Sequence, residues 1–324
     1  MPEAPIRFFS LDSHRALADQ IAARLDVEVD PIDQRQFADG EIYLRLQQTV
    51  RGADVFVVQT LNDPVNDHLM GLLMFLDAAR RASAKSINVI MPYMAYARAD
   101  RKARSREPIS AKLVANLIES QGASRVIVID LHAPQLQGFF DIPVDHLLAA
   151  PILAHEFFKR GLTGDDVVVA APDHSSASRA EKMAKLLNAQ WAIVDRRDDH
   201  IVPDKPFAVT GDVAGKRVIL LDDMIDTGTA MALGAEALHA AGAADVTIAA
   251  THGLFTDGAV ARLAAAPIDA LIVTDTMPLP AETAILPISQ ITTAPLLASV
   301  TARIIKNESV QDLLKSPDNP DVKL

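Results

Sequence analysis

Short apolar runs rich in β-branched residues recur along this chain with helical stretches between them, and that alternation admits few architectures. Residues 6–9, 55–59, 87–91, 126–129, 167–171, 192–194, 218–221, 246–250 and 271–274 are largely apolar at successive positions rather than at every second one. Strands of that kind are buried on both faces, as happens when helices cover a parallel sheet. Helical stretches lie between them at 14–25, 67–81, 110–121, 150–160, 176–187 and 230–241. The expected class is α/β with mainly parallel sheets flanked by helices.

One plan occurs twice. Segments 55–90 and 218–249 each run strand, loop, a helix closing at Ala82 or Ala241, then a second strand entered through Ala84-Lys85 or Ala243-Ala244. A further strand ending in Asp130 or Asp275 follows each. Any two βαβ units share some of this, but duplication of one α/β domain accounts for all of it. The expected division is 1–146, 147–305 and a polar tail, 306–324, which carries Pro317 and Pro320 and is expected to fray.

Bulk properties exclude several function classes. A chain of 324 residues accommodates two ordinary domains, and 49% hydrophobic with 23% charged residues is a soluble globular composition. A net charge of −11 opposes a nucleic-acid surface. The absence of cysteine excludes disulfides and thiolate chemistry and fits a reducing cytoplasm. The N-terminus lacks the basic-then-apolar order of a signal peptide, and no apolar run is long enough to span a membrane.

The segment from Arg217 to Ala230, RVILLDDMIDTGTA, carries the most chemistry. Its apolar run is expected to stop at Asp222 and Asp223, and Asp226, Thr227, Gly228 and Thr229 then lead into an Ala-rich helix. Free amide N–H groups at such a helix start, together with the helix dipole, favour phosphate. A capped strand–turn–helix is the simpler alternative, but capping leaves two adjacent acids at a strand end unexplained. Acids plus an anion cup point to a sugar phosphate.

Four other segments could contribute. Residues 92–113 crowd Arg98, Arg101, Lys102, Arg104, Arg106 and Lys112 into a loop, with Ser110 placed to cap the next helix. Such a loop suits a polyphosphate, with Arg98 and Asp100 able to read a base or ribose; a solvated basic loop is the alternative. His132, just past the strand ending at Asp130, can ligate a metal or be structural. Asp173 is a hard oxygen ligand suited to Mg²⁺, and Ser175-Ser176 open a helix that could hold phosphate or simply cap. Asp39-Gly40 is a turn signal between two β-rich runs; Phe37 beside it reads as core, with stacking on a purine as the alternative.

In this order the segments resemble ribose-phosphate diphosphokinase, also called phosphoribosyl pyrophosphate (PRPP) synthetase, in its class I bacterial form. The likeness runs from Arg7 to Val310 and is most specific at 96–112, 130–145 and 218–229. It implies two type I phosphoribosyltransferase-like domains with the active site between them, in a hexamer whose neighbouring subunits complete that site. It implies Mg²⁺-dependent transfer of the diphosphoryl group of ATP to the C1 hydroxyl of ribose 5-phosphate, giving AMP and PRPP. By that resemblance Phe37, Asp39 and Glu41 reach the adenine from a neighbouring subunit, and Arg98 and Asp100 complete the ATP site. His132 and Asp173 hold Mg²⁺, Asp222 and Asp223 the ribose hydroxyls, and Asp226, Thr227, Gly228 and Thr229 the 5-phosphate. Arg196, Arg197 and His132 serve the transfer itself.

The chain departs from the family pattern in places. Asp195-Arg196-Arg197-Asp198 stands where Asp-Lys-Arg-Arg is usual, so Arg196 replaces a Lys and Asp198 an Arg. Losing a transition-state cation costs a few kcal/mol, about a hundredfold in rate, unless Arg197 shifts to compensate. Ala99 replaces a Gln, Ser175-Ser176 replace a Gly pair, and the cup reads Asp-Thr-Gly-Thr-Ala rather than Asp-Thr-Ala-Gly-Thr. These differences keep two alternatives open: a weak or inactive homologue that regulates a PRPP synthetase, and a phosphoribosyltransferase that consumes PRPP.

Overall fold

The computed structural model of the chain describes residues 4–195 and 207–314. The first half runs β1 (Ile6–Ser10), α1 (Arg15–Leu25), β2 (Val29–Asp30), β3 (Ile32–Gln36), β4 (Ile42–Leu46), β5 (Asp54–Val58), α2 (Val65–Arg81), β6 (Ser86–Ile90), α3 (Ser110–Ser120), β7 (Arg125–Ile129) and β8 (Val144–Leu147). The second runs α4 (Ala150–Lys159), β9 (Val167–Ala171), α5 (Ala177–Leu187), β10 (Gln190–Asp195), β11 (Ala208–Thr210), β12 (Arg217–Ile225) and α6 (Thr229–Ala240). It continues through β13 (Asp245–Gly253), α7 (Ala259–Ala265), β14 (Ala270–Thr274), β15 (Ile288–Ile291) and α8 (Ala294–Ile305).

Two sheets result. The first has the order β2-β1-β5-β6-β7-β8 and is parallel throughout. The second has the order β11-β10-β9-β12-β13-β14-β15 and is parallel except at β10–β11. Without β11, the second order repeats the first strand for strand, so the duplication read from the sequence is a repeat of topology. Every expected strand forms. The pattern missed the short edge strands (β2, β8, β11, β15), whose half-exposed residues break the apolar run; the β-rich runs on either side of the Asp39-Gly40 turn pair as a separate β3–β4 hairpin.

One departure bears on function. β12 does not stop at Leu221: it runs to Ile225, paired with a β13 that reaches Gly253. The register sets Asp222 opposite Ala250 and Met224 opposite His252, so both acids lie within the strand, fixed by its ladder. Strand propensity disfavours Asp, but a long neighbouring strand overrides it.

Apolar side chains form three layers. One lies between the first sheet and α2 and α3, and another between the second sheet and α6 and α7. The third fills the space between the sheets. It joins Phe8 and Ile129 of the first sheet and Leu17 of α1 to Phe157 of α4, Leu187 of α5, Ile219 of the second sheet and Leu297 of α8. α8, which follows the second sheet, packs on α1 beside the first, and α4, which follows the first sheet, packs on α5 beside the second. Within the segment expected as a tail, Gln311–Leu314 forms a 3-10 turn and Leu313, 2% exposed, belongs to the shared layer. Among the described residues no helix is long and apolar enough to cross a membrane.

A layer owned by both halves couples their stability. Leu17 and Phe157 are each 0% exposed. Leu17→Ala should cost about 2–5 kcal/mol and Phe157→Ala about 3–5 kcal/mol. In urea, each should shift one common transition, followed by circular dichroism and by fluorescence of the single tryptophan, Trp191. Two resolved transitions, with only one of them moved, would contradict a shared layer.

Candidate active site

β12 carries Asp222 and Asp223 to the seam between the halves, where groups from both sheets meet them. His132 arrives from the end of β7, its Nδ1 2.7 Å from Asp223 Oδ2. Asp173 follows β9, and Arg179 extends from α5. Together with Arg98, Asp130, Ser175 and Ser176 they line one cavity of about 460 Å³. The expected metal residues and the expected ribose acids therefore share one space, although they come from three separate stretches of chain.

Two adjacent buried carboxylates cannot both ionise cheaply. Burial, then the charge of Asp223, pushes Asp222 up to about 7, against hydrogen bonds from Ser176 Oγ (2.6 Å) and the Asp223 amide (2.9 Å). Burial would also raise Asp223, but the His132 hydrogen bond and the Arg179 charge outweigh it and hold this carboxyl well below the usual range. The same hydrogen bond raises His132 against the opposing effect of its burial. In its neutral form, His132 with Nδ1–H directed at Asp223 keeps an Nε2 lone pair, the arrangement found in carboxylate–histidine–metal sites. A cation and a proton would compete for that nitrogen.

Asp130 is part of the seam. It is 6% exposed, and its carboxylate accepts from Thr251 Oγ1 (2.5 Å) and the Ala149 amide (3.4 Å) and lies 3.8 Å from Arg179 Nη1. Its carbonyl lies 3.2 Å from His252 Nε2. Burial lowers the pKa of His252, whose ring sits 5.0 Å from that of Tyr93.

The loop from Asp226 to Thr229 is tied down on both sides. The Thr256 amide donates to the Asp226 carbonyl (3.0 Å), and Arg262 donates to the Thr227 carbonyl. Thr256 Oγ1 and Arg98 Nη1 each donate to the Asp226 carboxylate at 2.5 Å. Burial would raise Asp226, but these two partners hold it below its ordinary value. Gly228 has φ +71°, and a Cβ there would lie 3.2 Å from Leu263 Cγ, so both backbone and space call for glycine. α6 starts at Thr229 directly behind it; Gly228 offers no capping side chain and the Thr229 amide makes only a 3.5 Å contact to Thr227 Oγ1, so the first turn can take an anion.

Of the six basic-loop cations, Arg98 lines this cavity and also a second, of about 670 Å³, with Tyr93, Tyr96, Asp226, Thr256 and Met277 on its walls. Arg101, Lys102, Arg104 and Arg106 are exposed, and Lys112 Nζ donates to the Phe139 carbonyl at 2.5 Å. Asp100 accepts from Gln135 at 2.9 Å and lines neither cavity.

Several expectations are corrected. The Ser175 and Ser176 amides are spent on Asp173 Oδ1, at 2.8 and 3.1 Å, and the Ser175 hydroxyl joins them at 2.5 Å, so this turn offers its amides to a carboxylate rather than to phosphate. Ile109 precedes α3, and no side chain caps that helix. Phe37 is not core: it is 49% exposed at the β3–β4 turn, edge-on to Tyr43 at 6.2 Å. Asp39 accepts the Glu41 amide at 3.1 Å within that turn, and none of Phe37, Asp39 and Glu41 lines either cavity. Arg196, Arg197 and Asp198 lie outside the described residues.

Among the described residues no group of three or more His, Asp or Glu is gathered tightly enough to cage a metal ion. Mg²⁺ rarely needs one, because it keeps waters and takes substrate phosphates beside one or two carboxylates. His132 Nε2 and Asp173 in one cavity are compatible with that mode.

Residues 6–122 match the model for the N-terminal domain of ribose phosphate pyrophosphokinase, and residues 175–315 match the phosphoribosyl synthetase-associated domain. Ribose-phosphate pyrophosphokinase 2 of Enterococcus faecalis is 47% identical over 96% of this chain and 96% of its own. The chain belongs to the ribose-phosphate pyrophosphokinase family. The family's enzyme from Listeria ivanovii is 46% identical over 96% of this chain and 97% of its own. Phosphoribosylpyrophosphate synthetase from Mycobacterium smegmatis superposes with a TM-score of 0.88 at 42% identity, covering 94% of this chain and 99% of that one.

The raised Asp222 predicts a pH effect of definite sign. Folded, it holds a proton up to about pH 7; unfolded, it releases that proton near its ordinary value of 3.8. Stability from this group is therefore fully present at low pH and falls as pH rises through that window. Without added metal, Asp222→Asn should melt several degrees above the native protein at pH 8, with the gap narrowing below pH 7 and closing near pH 4. A gap independent of pH would show that Asp222 is not raised.

Proposed function

We propose that this chain is a PRPP synthetase: it transfers the β,γ-diphosphoryl group of ATP to the C1 hydroxyl of ribose 5-phosphate. The C1 oxygen bonds to the β-phosphorus as that phosphorus parts from the oxygen it shares with the α-phosphate, and AMP leaves. The single observation that carries this reading is the seam cavity, where Asp222, Asp223, His132, Asp173 and two arginines converge, with Arg98 bonded to Asp226 at the head of the Gly228 turn. Full-length likeness to ribose-phosphate pyrophosphokinases supports it and disfavours a regulatory or PRPP-consuming homologue.

The amides ahead of α6, with Thr227 and Thr229, would bind the 5-phosphate, and Asp222 and Asp223 the ribose hydroxyls. Arg98, with Asp100, would take the nucleotide; bonded to Asp226, Arg98 also links the nucleotide loop to the phosphate loop. The cavity is lined by four aspartates against Arg98, Arg179 and Lys182, so it carries no positive excess for a polyphosphate. Mg²⁺, which Asp173 and His132 would hold, would supply the missing charge on the transferring phosphates. Arg196 and Arg197 would add cations from the segment after β10. Phe37, Asp39 and Glu41, exposed and remote from the cavities of their own chain, would serve a neighbouring subunit, which favours a homo-oligomer, a hexamer by resemblance. Residues 1–146 and 147–305 would act as the two domains. A cysteine-free chain using ATP and a sugar phosphate fits the cytoplasm.

Purified protein with Mg²⁺, ATP and ribose 5-phosphate should yield AMP and PRPP in equal amounts; no AMP above background would end this reading. Gly228→Ala strains a left-handed backbone in the cup. It should raise KM for ribose 5-phosphate at least about tenfold while KM for ATP moves far less. An equal rise in both would place the loop elsewhere in the reaction.

A further inference from the structure

We infer that Ser176 is a positioning residue that dedicates Asp222 to a single sugar hydroxyl and so sharpens discrimination against sugar phosphates lacking that hydroxyl. The inference rests on Asp222 facing the sugar, as in the function proposed above. Ser176 is the N-cap residue of α5, yet its hydroxyl does not cap the helix. A serine there ordinarily satisfies an amide of the first turn, worth about 1 kcal/mol. This one, 7% exposed, turns away and donates to Asp222 Oδ1 at 2.6 Å.

Oδ1 also accepts the Asp223 amide at 2.9 Å. Both lone-pair directions of that oxygen are then occupied, and the carboxylate plane is fixed from two elements, α5 and β12. Oδ2 has no hydrogen-bond partner among the described residues, and Asp222 lines the cavity. One oriented oxygen is what remains for a ligand. Without the Ser176 hydroxyl, Oδ1 regains an open position, and the carboxylate can turn to accept water or a different hydroxyl. A site that commits a buried acceptor to one substrate hydroxyl rejects analogues lacking it far better than one whose acceptor can find another donor.

The test, run at pH 8.5 so that Asp222 is ionised and its free oxygen accepts, is calorimetric binding of ribose 5-phosphate, 2-deoxyribose 5-phosphate and 3-deoxyribose 5-phosphate to the native protein, Ser176→Ala and Ser176→Thr. The native protein should favour ribose 5-phosphate over at least one deoxy analogue by tenfold or more. In Ser176→Ala that ratio should fall to a few-fold, with ribose 5-phosphate itself bound about tenfold more weakly. Ser176→Thr, which keeps the hydroxyl, should restore the ratio. Ser176→Gly adds no atom and gives the same reading should the alanine variant not fold. An unchanged ratio in the hydroxyl-free variant would overturn the inference. Because binding is read without turnover, a protein that binds ribose 5-phosphate but releases no AMP would overturn the proposed activity and leave Ser176 to be judged on the ratio.

Discussion

Two carboxylates side by side on one buried strand make the demand that the seam of this molecule answers. Asp222 and Asp223 are fixed by the β12–β13 ladder and cannot move apart. Water is largely excluded, so their repulsion is not screened as it would be at a surface. Asp223 stays ionised because His132 and Arg179 stand against it, and Asp222 answers by holding its proton to about 7. Of the compensating groups, His132 comes from the first half and Arg179 from the second. The acid pair is thus stable only where the halves meet.

The meeting itself is secured at several levels. Beneath it lies the apolar layer common to both sheets, which supplies most of the attraction. Above it, polar contacts set the alignment. Asp130 reaches Thr251 and His252, and His14 Nε2 approaches the Asp275 carbonyl at 2.9 Å. Asp275 in turn accepts from the Thr293 amide and hydroxyl at 2.6 and 2.7 Å, which ties the start of α8 to the same place. Buried polar contacts of this kind add little net stability but penalise every other docking of the halves. Arg98 completes the arrangement: one side chain joins the basic loop to Asp226 and borders both cavities.

Much of this was legible in the sequence because local physics dominated there. Central parallel strands are apolar on both faces and leave an unmistakable trace, and the repeat followed from their spacing. Gly228 within Asp-Thr-Gly-Thr needed only backbone sterics. Edge strands such as β2 and β15 were hidden because exposure on one side dilutes their pattern. Phe37 misled because an aromatic residue between β-rich runs resembles core, whereas the hairpin turn holds it outward. The length of β12 was missed because aspartate disfavours strands in isolation, and only pairing with β13 carries the ladder past it. Arg179, Thr251, Thr256 and Arg262 gave no signal at all: each is an ordinary residue on an ordinary element until the fold brings it to the seam.

By itself the sequence determined the α/β class, the doubled plan, the positions of the central strands along the chain and the inventory of chemical groups that resembles one family of diphosphoryl transferases. What it left open were the pairings. His132 and Asp223 lie 91 positions apart, and Arg98 and Asp226 lie 128 apart, so no local pattern could join them. Nor could it say which acid keeps its proton, that the Asp173 turn closes on its own amides, or that the Ser176 hydroxyl is spent on Asp222. Those outcomes depend on burial and on distances of a few ångströms between remote segments, quantities that come into being only when the two sheets pack against each other.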